Sequence, residues 1–297
     1  RMQISLVGCH PRVVAIDLHP GYTNRPLARR LCEEYGAEKI EVQHHWAHAA
    51  SLIAEHGIDD CVALTLDGTG HGDDGTAWGG EVLYADLEHY ERVGHLETIP
   101  LLGSEKALYD LRRLNFAIDP MNGKENHDFK DNEAAILGKL MNRSIRTSSF
   151  GRILDALSFR LGVCRERTYD GEPAMRLEPL LRRGRPIEGF EPDVDGGVVR
   201  TVELFSRIGD DMRKEDVAYS IVYNLVGKLV DTAISKSDSV GTKYIGLTGG
   251  VSYNSTIASM FRDMVISSDH IPIIHRDVPN GDAGISVGQA AIALRRI

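Results

Sequence analysis

The stretch CVALTLDGTGHGDDGTAWGGEVLYADL (residues 61–87) contains two apolar runs on either side of a glycine-rich segment. The runs at 61–68 and 79–87 predict two β-strands, which we expect to pair in an antiparallel arrangement. Six glycines and three aspartates fall within 64–81. Glycine lets backbone N–H groups approach a phosphate, and Asp67 stands at a strand end, where a carboxylate can bind a metal ion or a water. A hairpin turn with solvated aspartates is the alternative.

Strand and helix patterns alternate on both sides of this stretch, which predicts an α/β fold. Strand-like apolar runs occupy 12–18, 39–43, 243–247 and 271–275. Helical patterns occupy 25–36, 43–57, 149–162, 215–235, 254–265 and 282–297. The turn-rich segment at 189–201 is typical of a linker or an insertion.

The segment QHHWAHAASLIAEHG (residues 43–57) predicts a helix with two histidines one turn apart. At about 100° per residue, His44, His48, Ser51 and Glu55 share one stripe, and apolar residues occupy the opposite face. We therefore expect the apolar side to pack and the polar stripe to look outward. Two imidazoles one turn apart can hold one divalent metal ion, and a solvated polar face is the alternative.

A metal ion held by these imidazoles would need oxygen ligands from elsewhere in the chain. Glu55 lies about two turns beyond His48, too far along the helix to share its ion. His45 stands where the H-E-x-x-H motif carries its glutamate base, which argues against a zinc protease. Asp282, in PNGDAGISVGQ (279–289), precedes the last predicted helix. It is either the N-cap of that helix or the missing carboxylate ligand.

The segment YIGLTGGVSYNSTI (residues 244–257) reads as a strand, a Gly-Gly turn and a helix. Gly249 and Gly250 permit close backbone approach, and the N-terminus of the following helix favours a phosphate group. An ordinary strand-to-helix turn has the same pattern, so this segment alone leaves both interpretations open.

Composition narrows the class of protein. The chain has 297 residues, 42% hydrophobic and 26% charged, with a net charge of −9. An acidic surface disfavours nucleic-acid and anionic-membrane binding, and we find no apolar run near the roughly 20 residues of a membrane helix. No signal peptide opens the sequence, and its four cysteines form no C-x-x-C pair. We therefore predict a cytoplasmic protein with free thiols, in which Cys61 belongs to the core.

The order of the motifs is more specific than any one of them. The sequence resembles the C-terminal, Kae-like domain of the HypF carbamoyltransferase family of nickel–iron hydrogenase maturation, from about residue 11 to the end. The resemblance rests on DLHPGY, VQHHWAH, LTLDGTGHGDDGTAWGGE, SSFGRILDALSFRLG, TYDGEPAMRLE, LTGGVSYN and GDAGISVGQ. It implies kinship with threonylcarbamoyl transferases and O-carbamoyltransferases. It also implies the two-lobed α/β sugar kinase–Hsp70–actin (ASKHA) superfold.

The resemblance predicts a first lobe at 1–125, which carries the histidine motif and the glycine loop. The second lobe, at 126–297, carries the Gly-Gly turn and the final aspartate. The opening phosphate hairpin of the superfold has no counterpart in the sequence, so we expect the first lobe to be incomplete at its N-terminus. The family's acylphosphatase domain, zinc fingers and carbamoyl-adenylate-forming domain have no counterpart here either.

The family's functional residues map onto positions of this sequence. The resemblance implies a divalent metal ion (iron, zinc, manganese or magnesium) held by His44, His48, Asp67 and Asp282. Of these, His44, His48 and Asp67 are also the predicted catalytic residues, and Asp67 is a direct or water-mediated ligand. The implied nucleotide contacts comprise glycines at the phosphates, one amide near the ribose or phosphates and two carboxylates at the ribose. These residues are Gly68, Gly70, Gly249, Gly250, Asn254, Asp155 and Glu172.

The implied activity is transfer of a carbamoyl group from carbamoyl adenylate, made from ATP by a domain or chain missing here, to the C-terminal cysteine of a HypE-like partner. Two alternatives remain open. One is threonylcarbamoyl transfer to tRNA or O-carbamoylation of a small molecule, and the net charge of −9 disfavours tRNA. The other is a nucleotide-binding interaction subunit without turnover.

Overall fold

The structure is a computed structural model that describes residues 2–121 and 128–296. Its helices are α1 (Met2–Val7), α2 (Arg25–Tyr35), α3 (His44–His56), α4 (Lys106–Tyr109), α5 (Arg112–Ile118), α6 (Asp131–Leu140), α7 (Phe150–Arg160), α8 (Glu172–Arg183), α9 (Val202–Ser206), α10 (Lys214–Val240), α11 (Ser255–Ser267) and α12 (Ile285–Arg295). Its strands are β1 (Val13–Asp17), β2 (Glu38–Val42), β3 (Cys61–His71), β4 (Ala77–Ala85), β5 (Tyr90–Leu96), β6 (Ile99–Pro100), β7 (Arg146–Thr147), β8 (Val194–Asp195), β9 (Val198–Val199), β10 (Tyr244–Thr248) and β11 (Ile271–Ile274).

The strands form two sheets. A small parallel sheet pairs β1 with β2, and a large mixed sheet has the order β11-β10-β3-β4-β5-β9-β8. The predicted β3–β4 pair is antiparallel, with Leu64 opposite Val82, and its register shifts between Leu66 and Gly70. Strand β10 runs parallel to both β3 and β11. The predicted α/β class and the antiparallel pair at its centre are therefore confirmed.

The large sheet is covered on both faces, which explains why β3 is a nearly continuous apolar run. Val62, Leu64 and Leu66 face one core cluster, which also includes apolar residues of α7, α8, α10 and α11. Cys61 and Ala63 face a second cluster, with apolar residues of α3 and α12. The prediction that Cys61 is a core residue is confirmed, since its side chain is fully buried.

Of the two interpretations of the segment 189–201, a linker or an insertion, the linker is not the one observed. The strands β8 and β9 of this segment form a hairpin, and β9 joins the edge of the large sheet, with Val198 opposite His95 of β5. Gly196 and Gly197 turn the chain with φ angles of 57° and 82°. Two consecutive positive φ angles are what a type I′ two-residue hairpin turn requires, and the Gly-Gly pair supplies them.

The longest helix, α10, belongs to the core. Among the described residues it is the one helix long and apolar enough to cross a membrane by length and composition, and 56% of its most apolar window is buried inside the protein. Its buried side chains face the large sheet and α8. Its apolar character is therefore explained by core packing.

The predicted division into lobes at residues 125 and 126 falls outside the described residues and stays a prediction. The large sheet takes strands from both predicted ranges, because β10 pairs with β3.

Helices α3 and α12 cross closely, and this crossing places the turn before α12 beside His44 and His48. The contact is made at Gly288, where an added Cβ would lie 1.8 Å from the carbonyl oxygen of Ala47. Only a residue without a side chain fits such an approach. The turn that holds Asp282 leads directly into α12, so the crossing also fixes the position of Asp282.

We predict that Gly288→Ala lowers the free energy of unfolding by about 1–3 kcal/mol, because the new methyl group must push α12 away from α3. The matched control is Gly138→Ala in α6, where an added Cβ meets nothing within 4 Å. That change should stabilise the protein by about 0.5–1 kcal/mol. Urea denaturation measures both, and equal effects of the two substitutions would contradict the close crossing.

Candidate functional site

Helix α3 begins at the site and is buried almost all round. Gln43 caps it, since its side-chain oxygen accepts a hydrogen bond from the Trp46 N–H at 2.8 Å. Every residue from 44 to 53 is buried, including His44, His48 and Ser51. The prediction that the polar stripe looks outward is therefore wrong. The glycine loop and α12 cover this face. The periodicity of one helix shows which residues share a face, but it does not show whether another segment packs on the polar face.

Four side chains converge at the start of α3. The Nε2 atom of His44 lies 3.4 Å from an Asp67 carboxylate oxygen and 3.7 Å from one of Asp282. The Nε2 atom of His48 lies 3.9 Å and 3.8 Å from the same two oxygens. The four donor atoms all lie within 4.8 Å of one another. Two imidazoles and two carboxylates at this spacing form a donor set for one divalent cation.

Asp282 does not cap the last helix. It lies in a 3-10 turn, Asp282–Gly284, and α12 begins after Gly284 with no side-chain cap. Its side chain is 67% exposed, whereas those of His44 and His48 are buried. Of the two roles left open for Asp282, the N-cap is therefore not the one observed.

Electrostatics in the cluster favour a cation. Burial alone would lower the pKa of His44, but hydrogen bonds to Asp17 and Asp67 raise it to about 10. Burial would raise the pKa of Asp67, but the hydrogen bond to His44 and the charge of His48 hold it below its usual value. The Nε2 atom of His48 is buried and has no hydrogen-bond partner among the described residues. A metal ion would satisfy that nitrogen and the ionised carboxylates together.

Asp67 links the cluster to the Gly-Gly turn. One of its oxygens accepts a hydrogen bond from the Gly250 N–H at 3.1 Å. Gly249 has a φ of 92°, and an added Cβ would lie 2.3 Å from the Leu66 carbonyl oxygen. The two glycines therefore bring β3 and the turn into direct contact.

Beside the cluster lies a cavity of about 670 Å³. Asp67 and Asp282 line it as well as belonging to the donor set. Four of the predicted nucleotide contacts also line it: Gly68, Asp155, Gly250 and Asn254. The structure therefore brings most of the predicted site residues to one space.

Three predicted nucleotide contacts are not among the described residues that line the cavity: Gly70, Gly249 and Glu172. Gly70 packs against two imidazoles, because an added Cβ would lie 2.5 Å from His44 and 2.6 Å from His45. The Glu172 carboxylate accepts hydrogen bonds from the N–H and hydroxyl of Thr168, at 2.6 Å and 2.7 Å. The phosphate and ribose contacts of these three residues stay predictions.

Asp155 is paired within the cavity wall. Its carboxylate lies 2.8 Å from the Arg152 guanidinium, and both side chains are buried. Burial raises the pKa of Asp155. Arg152 also lines the cavity beside Gly68. This arginine was not among the predicted site residues, although it lies within the same GRILDAL segment as Asp155.

Asn254, which lines the cavity, is also the N-cap of α11. Its side-chain oxygen caps α11 by accepting hydrogen bonds from the N–H groups of Thr256 and Ile257, both at 3.1 Å. The cap fixes the N-terminus of α11 at the cavity, where backbone N–H groups favour an anion.

The residues on the Nδ1 side of the two imidazoles were also not among the predicted site residues. The Nδ1 atom of His44 lies 2.8 Å from Asp17, at the end of β1. Behind His48 stand Thr248, His275 and Glu55. The signal for Asp17 was its place at the end of a predicted strand, in DLHPGY. The other three come from segments far apart in the chain, and no local pattern joins them.

Comparison with known proteins decides the family. A family model described as the second subdomain of the carbamoyltransferase Kae1-like domain matches residues 63–289. A second, the HypF Kae1-like domain, matches residues 2–55. The chain belongs to the HypF family. The resemblance found in the sequence is thereby confirmed.

Individual HypF proteins agree over nearly the whole chain. The "Probable carbamoyltransferase HypF" of Methanocaldococcus jannaschii is 39% identical over 93% of the chain and 38% of its own length. The carbamoyltransferase HypF of Rhodobacter capsulatus is 31% identical over 97% of the chain and 40% of its own length. The chain thus spans about two fifths of these relatives.

A solved structure confirms the predicted ASKHA-type fold. It is the crystal structure of full-length HypF in the phosphate- and nucleotide-bound form, with a TM-score of 0.87 and 30% identity. The match covers 99% of this chain and 48% of that one.

We predict that Glu55 makes stability depend on acid pH. Burial would raise its pKa, but three backbone N–H groups and His275 lower it from 4.5 to about 2. Its stabilising contribution, at most about 3 kcal/mol, is therefore present above pH 4.5 and lost as the pH falls towards 2. Urea denaturation of Glu55→Gln and the wild type across this range should show the difference shrinking with acid. A constant difference would contradict the lowered pKa.

Proposed function

We propose that this domain binds ATP or carbamoyl adenylate with a divalent metal ion and transfers the carbamoyl group to the C-terminal cysteine of a HypE-like partner. The main support is the shared position of Asp67 and Asp282, which belong to the donor cluster and also line the 670 Å³ cavity. A nucleotide in that cavity would have its phosphates beside the metal site. Membership of a family of carbamoyltransferases supports the type of reaction.

The metal ion would be held by His44, His48, Asp67 and Asp282. Two imidazoles with two carboxylates suit iron, zinc or manganese, whereas magnesium prefers oxygen ligands alone. When bound, the ion supplies positive charge that offsets the phosphates and favours departure of the leaving group.

The protein's own groups would position the nucleotide. The capped N-terminus of α11 and the Arg152 guanidinium offer positive potential to the phosphates. The Asp155 carboxylate is the candidate partner of the ribose hydroxyls, with Glu172 and the phosphate-side glycines Gly68, Gly70, Gly249 and Gly250 as further proposed contacts. The walls would thereby hold the carbamoyl carbon in place for attack.

The nucleophile would come from the partner. The acceptor thiolate attacks the carbamoyl carbon, a new S–C bond forms, and the bond to the adenylate oxygen breaks to release AMP. Cys61 cannot take this part, because it is fully buried and burial raises its pKa to about 12. Cys164 is buried as well, and neither Cys9 nor Cys32 lines the cavity. Four free cysteines also agree with the proposed cytoplasmic location.

The direct test mixes this chain with HypE and carbamoyl adenylate that carries an isotopic label in the carbamoyl group. We expect label on HypE, none on HypE without its terminal cysteine, and far less with Asp67→Asn. Mass spectrometry of HypE measures the transfer. Nucleotide binding without transfer to HypE would instead support the interaction subunit.

We predict that His48→Ala reduces bound metal by more than half in elemental analysis, because it removes one of four convergent donors. His89→Ala is the matched control, since the His89 side chain is 83% exposed and lies outside the cluster. It should leave the metal content unchanged. An unchanged content in both variants would exclude this metal site.

We predict that Asp155→Asn weakens ATP binding by about tenfold, because a hydrogen bond to a charged group is worth about 1.5–3 kcal/mol. The same change should matter little for 2′,3′-dideoxy-ATP, which lacks the ribose hydroxyls. Isothermal titration calorimetry measures all four affinities. Equal losses for ATP and the dideoxy analogue would show that Asp155 does not contact the ribose.

A further inference from the structure

A line of polar side chains connects His48 with Glu55, and its members are not among the residues that line the cavity. The His48 Nδ1 atom lies 3.5 Å from the Thr248 hydroxyl oxygen, which lies 3.1 Å from His275 Nε2. The other ring nitrogen of His275, Nδ1, lies 2.6 Å from the Glu55 carboxylate. These groups come from α3, β10 and the end of β11, and the His275 side chain is 1% exposed.

The direction of the hydrogen bonds is set at the Glu55 end. One Glu55 oxygen accepts hydrogen bonds from the N–H groups of residues 276, 277 and 278, at 3.0, 2.6 and 2.9 Å. These bonds hold Glu55 as an ionised carboxylate, which can only accept. His275 must therefore donate from Nδ1. Burial lowers the pKa of His275, so its ring is neutral and Nε2 is an acceptor.

The acceptor on His275 then orients the Thr248 hydroxyl. Ser51 also lies near His275 Nε2, at 3.3 Å, but its O–H donates to the His48 carbonyl oxygen at 2.7 Å. Thr248 is thus the available donor to His275, and the Asn280 carbonyl oxygen at 3.3 Å is its other acceptor within reach. In either case the Thr248 hydroxyl proton points away from His48. Its oxygen is left to accept a hydrogen bond from His48 Nδ1–H.

We propose that Glu55, His275 and Thr248 are positioning residues that keep the proton of His48 on Nδ1, so that the Nε2 lone pair faces the metal site. The inference rests on the metal site of the proposed function. His44 has a shorter counterpart, because Asp17 accepts from its Nδ1. Both imidazoles thus direct Nε2 towards the metal site that they form with Asp67 and Asp282. Partners that fix a tautomer in this way typically affect metal affinity by 10- to 100-fold.

Glu55→Gln is the sharpest variant, because it replaces one oxygen by an NH₂ group. The amide oxygen would still accept from the three backbone N–H groups, so the NH₂ group would face His275. His275 would then accept at Nδ1 and donate from Nε2 to Thr248. The Thr248 hydroxyl would lose His275 as an acceptor and divide its donation between the Asn280 carbonyl oxygen and His48 Nδ1. Donation to His48 moves the proton of that ring to Nε2.

Two further variants separate this effect from a loss of structure. Thr248→Val keeps the shape of a fully buried side chain and removes the hydroxyl, whereas Thr248→Ser keeps the hydroxyl. Glu33→Gln, at an exposed position of α2, is the matched control for loss of a carboxylate. Circular dichroism and thermal unfolding establish that each variant is folded.

Two measurements test the proposal, one with metal and one without. Cobalt(II) binding, followed by its visible absorption in competition with a chelator, should weaken 10- to 100-fold in Glu55→Gln and Thr248→Val. Thr248→Ser and Glu33→Gln should bind like the wild type. In the metal-free protein, ¹⁵N NMR of the histidine rings should place the His48 proton on Nδ1 in the wild type and shift a measurable fraction of it to Nε2 in Glu55→Gln.

The outcomes distinguish this proposal from the metal site itself. A wild-type protein with the His48 proton on Nε2 would overturn the positioning role whatever the metal result. Wild-type cobalt affinity in both Glu55→Gln and Thr248→Val would overturn it as well, with the metal site intact. Failure of the wild type to bind cobalt would overturn the metal site alone, because the NMR result still decides the tautomer.

Discussion

The structure depends on the burial of one ionised carboxylate. Asp67 lies within hydrogen-bonding range of His44 and accepts a bond from the Gly250 N–H, so it joins its own glycine loop to two segments that are distant in sequence. A buried charge is tolerated only when it is paired and hydrogen-bonded. The histidine helix, the glycine loop and the Gly-Gly turn must therefore come together for Asp67 to stay ionised. The same requirement produces the donor cluster.

Close backbone contacts make this convergence possible. Gly288 lets α12 cross α3, and Gly249 lets the turn touch β3, at distances where a side chain would collide. Gly70 admits the two imidazole rings in the same way. Glycines in the motifs thus have packing roles besides any contact with phosphate. The site is consequently closely packed on the side of the histidines and adjoins the cavity on the other side.

The Nδ1 atoms of the two imidazoles have different hydrogen-bonding partners. His44 has a single carboxylate, Asp17, directly on its Nδ1 atom. His48 is connected to Glu55 through Thr248 and His275. Both arrangements leave the Nε2 atoms directed towards Asp67 and Asp282, which is what a shared cation requires. The orientation of the two imidazoles therefore depends on residues that would not touch the ion.

The sequence by itself determined the α/β class, the antiparallel pair around the glycine loop and the family, and it named most of the residues that meet at the candidate site. Apolar periodicity and glycine positions are local properties that can be read directly from the sequence. The order of the motifs along the chain identifies the family. Only the tertiary structure decided that the His44 stripe is buried, that 189–201 extends the sheet and that Asp282 does not cap α12. It also revealed the partners of the histidines, such as Glu55 with His275. Those features arise where segments distant in sequence meet. Burial and hydrogen bonding there depend on which segments pack together, and the sequence of one segment does not show that.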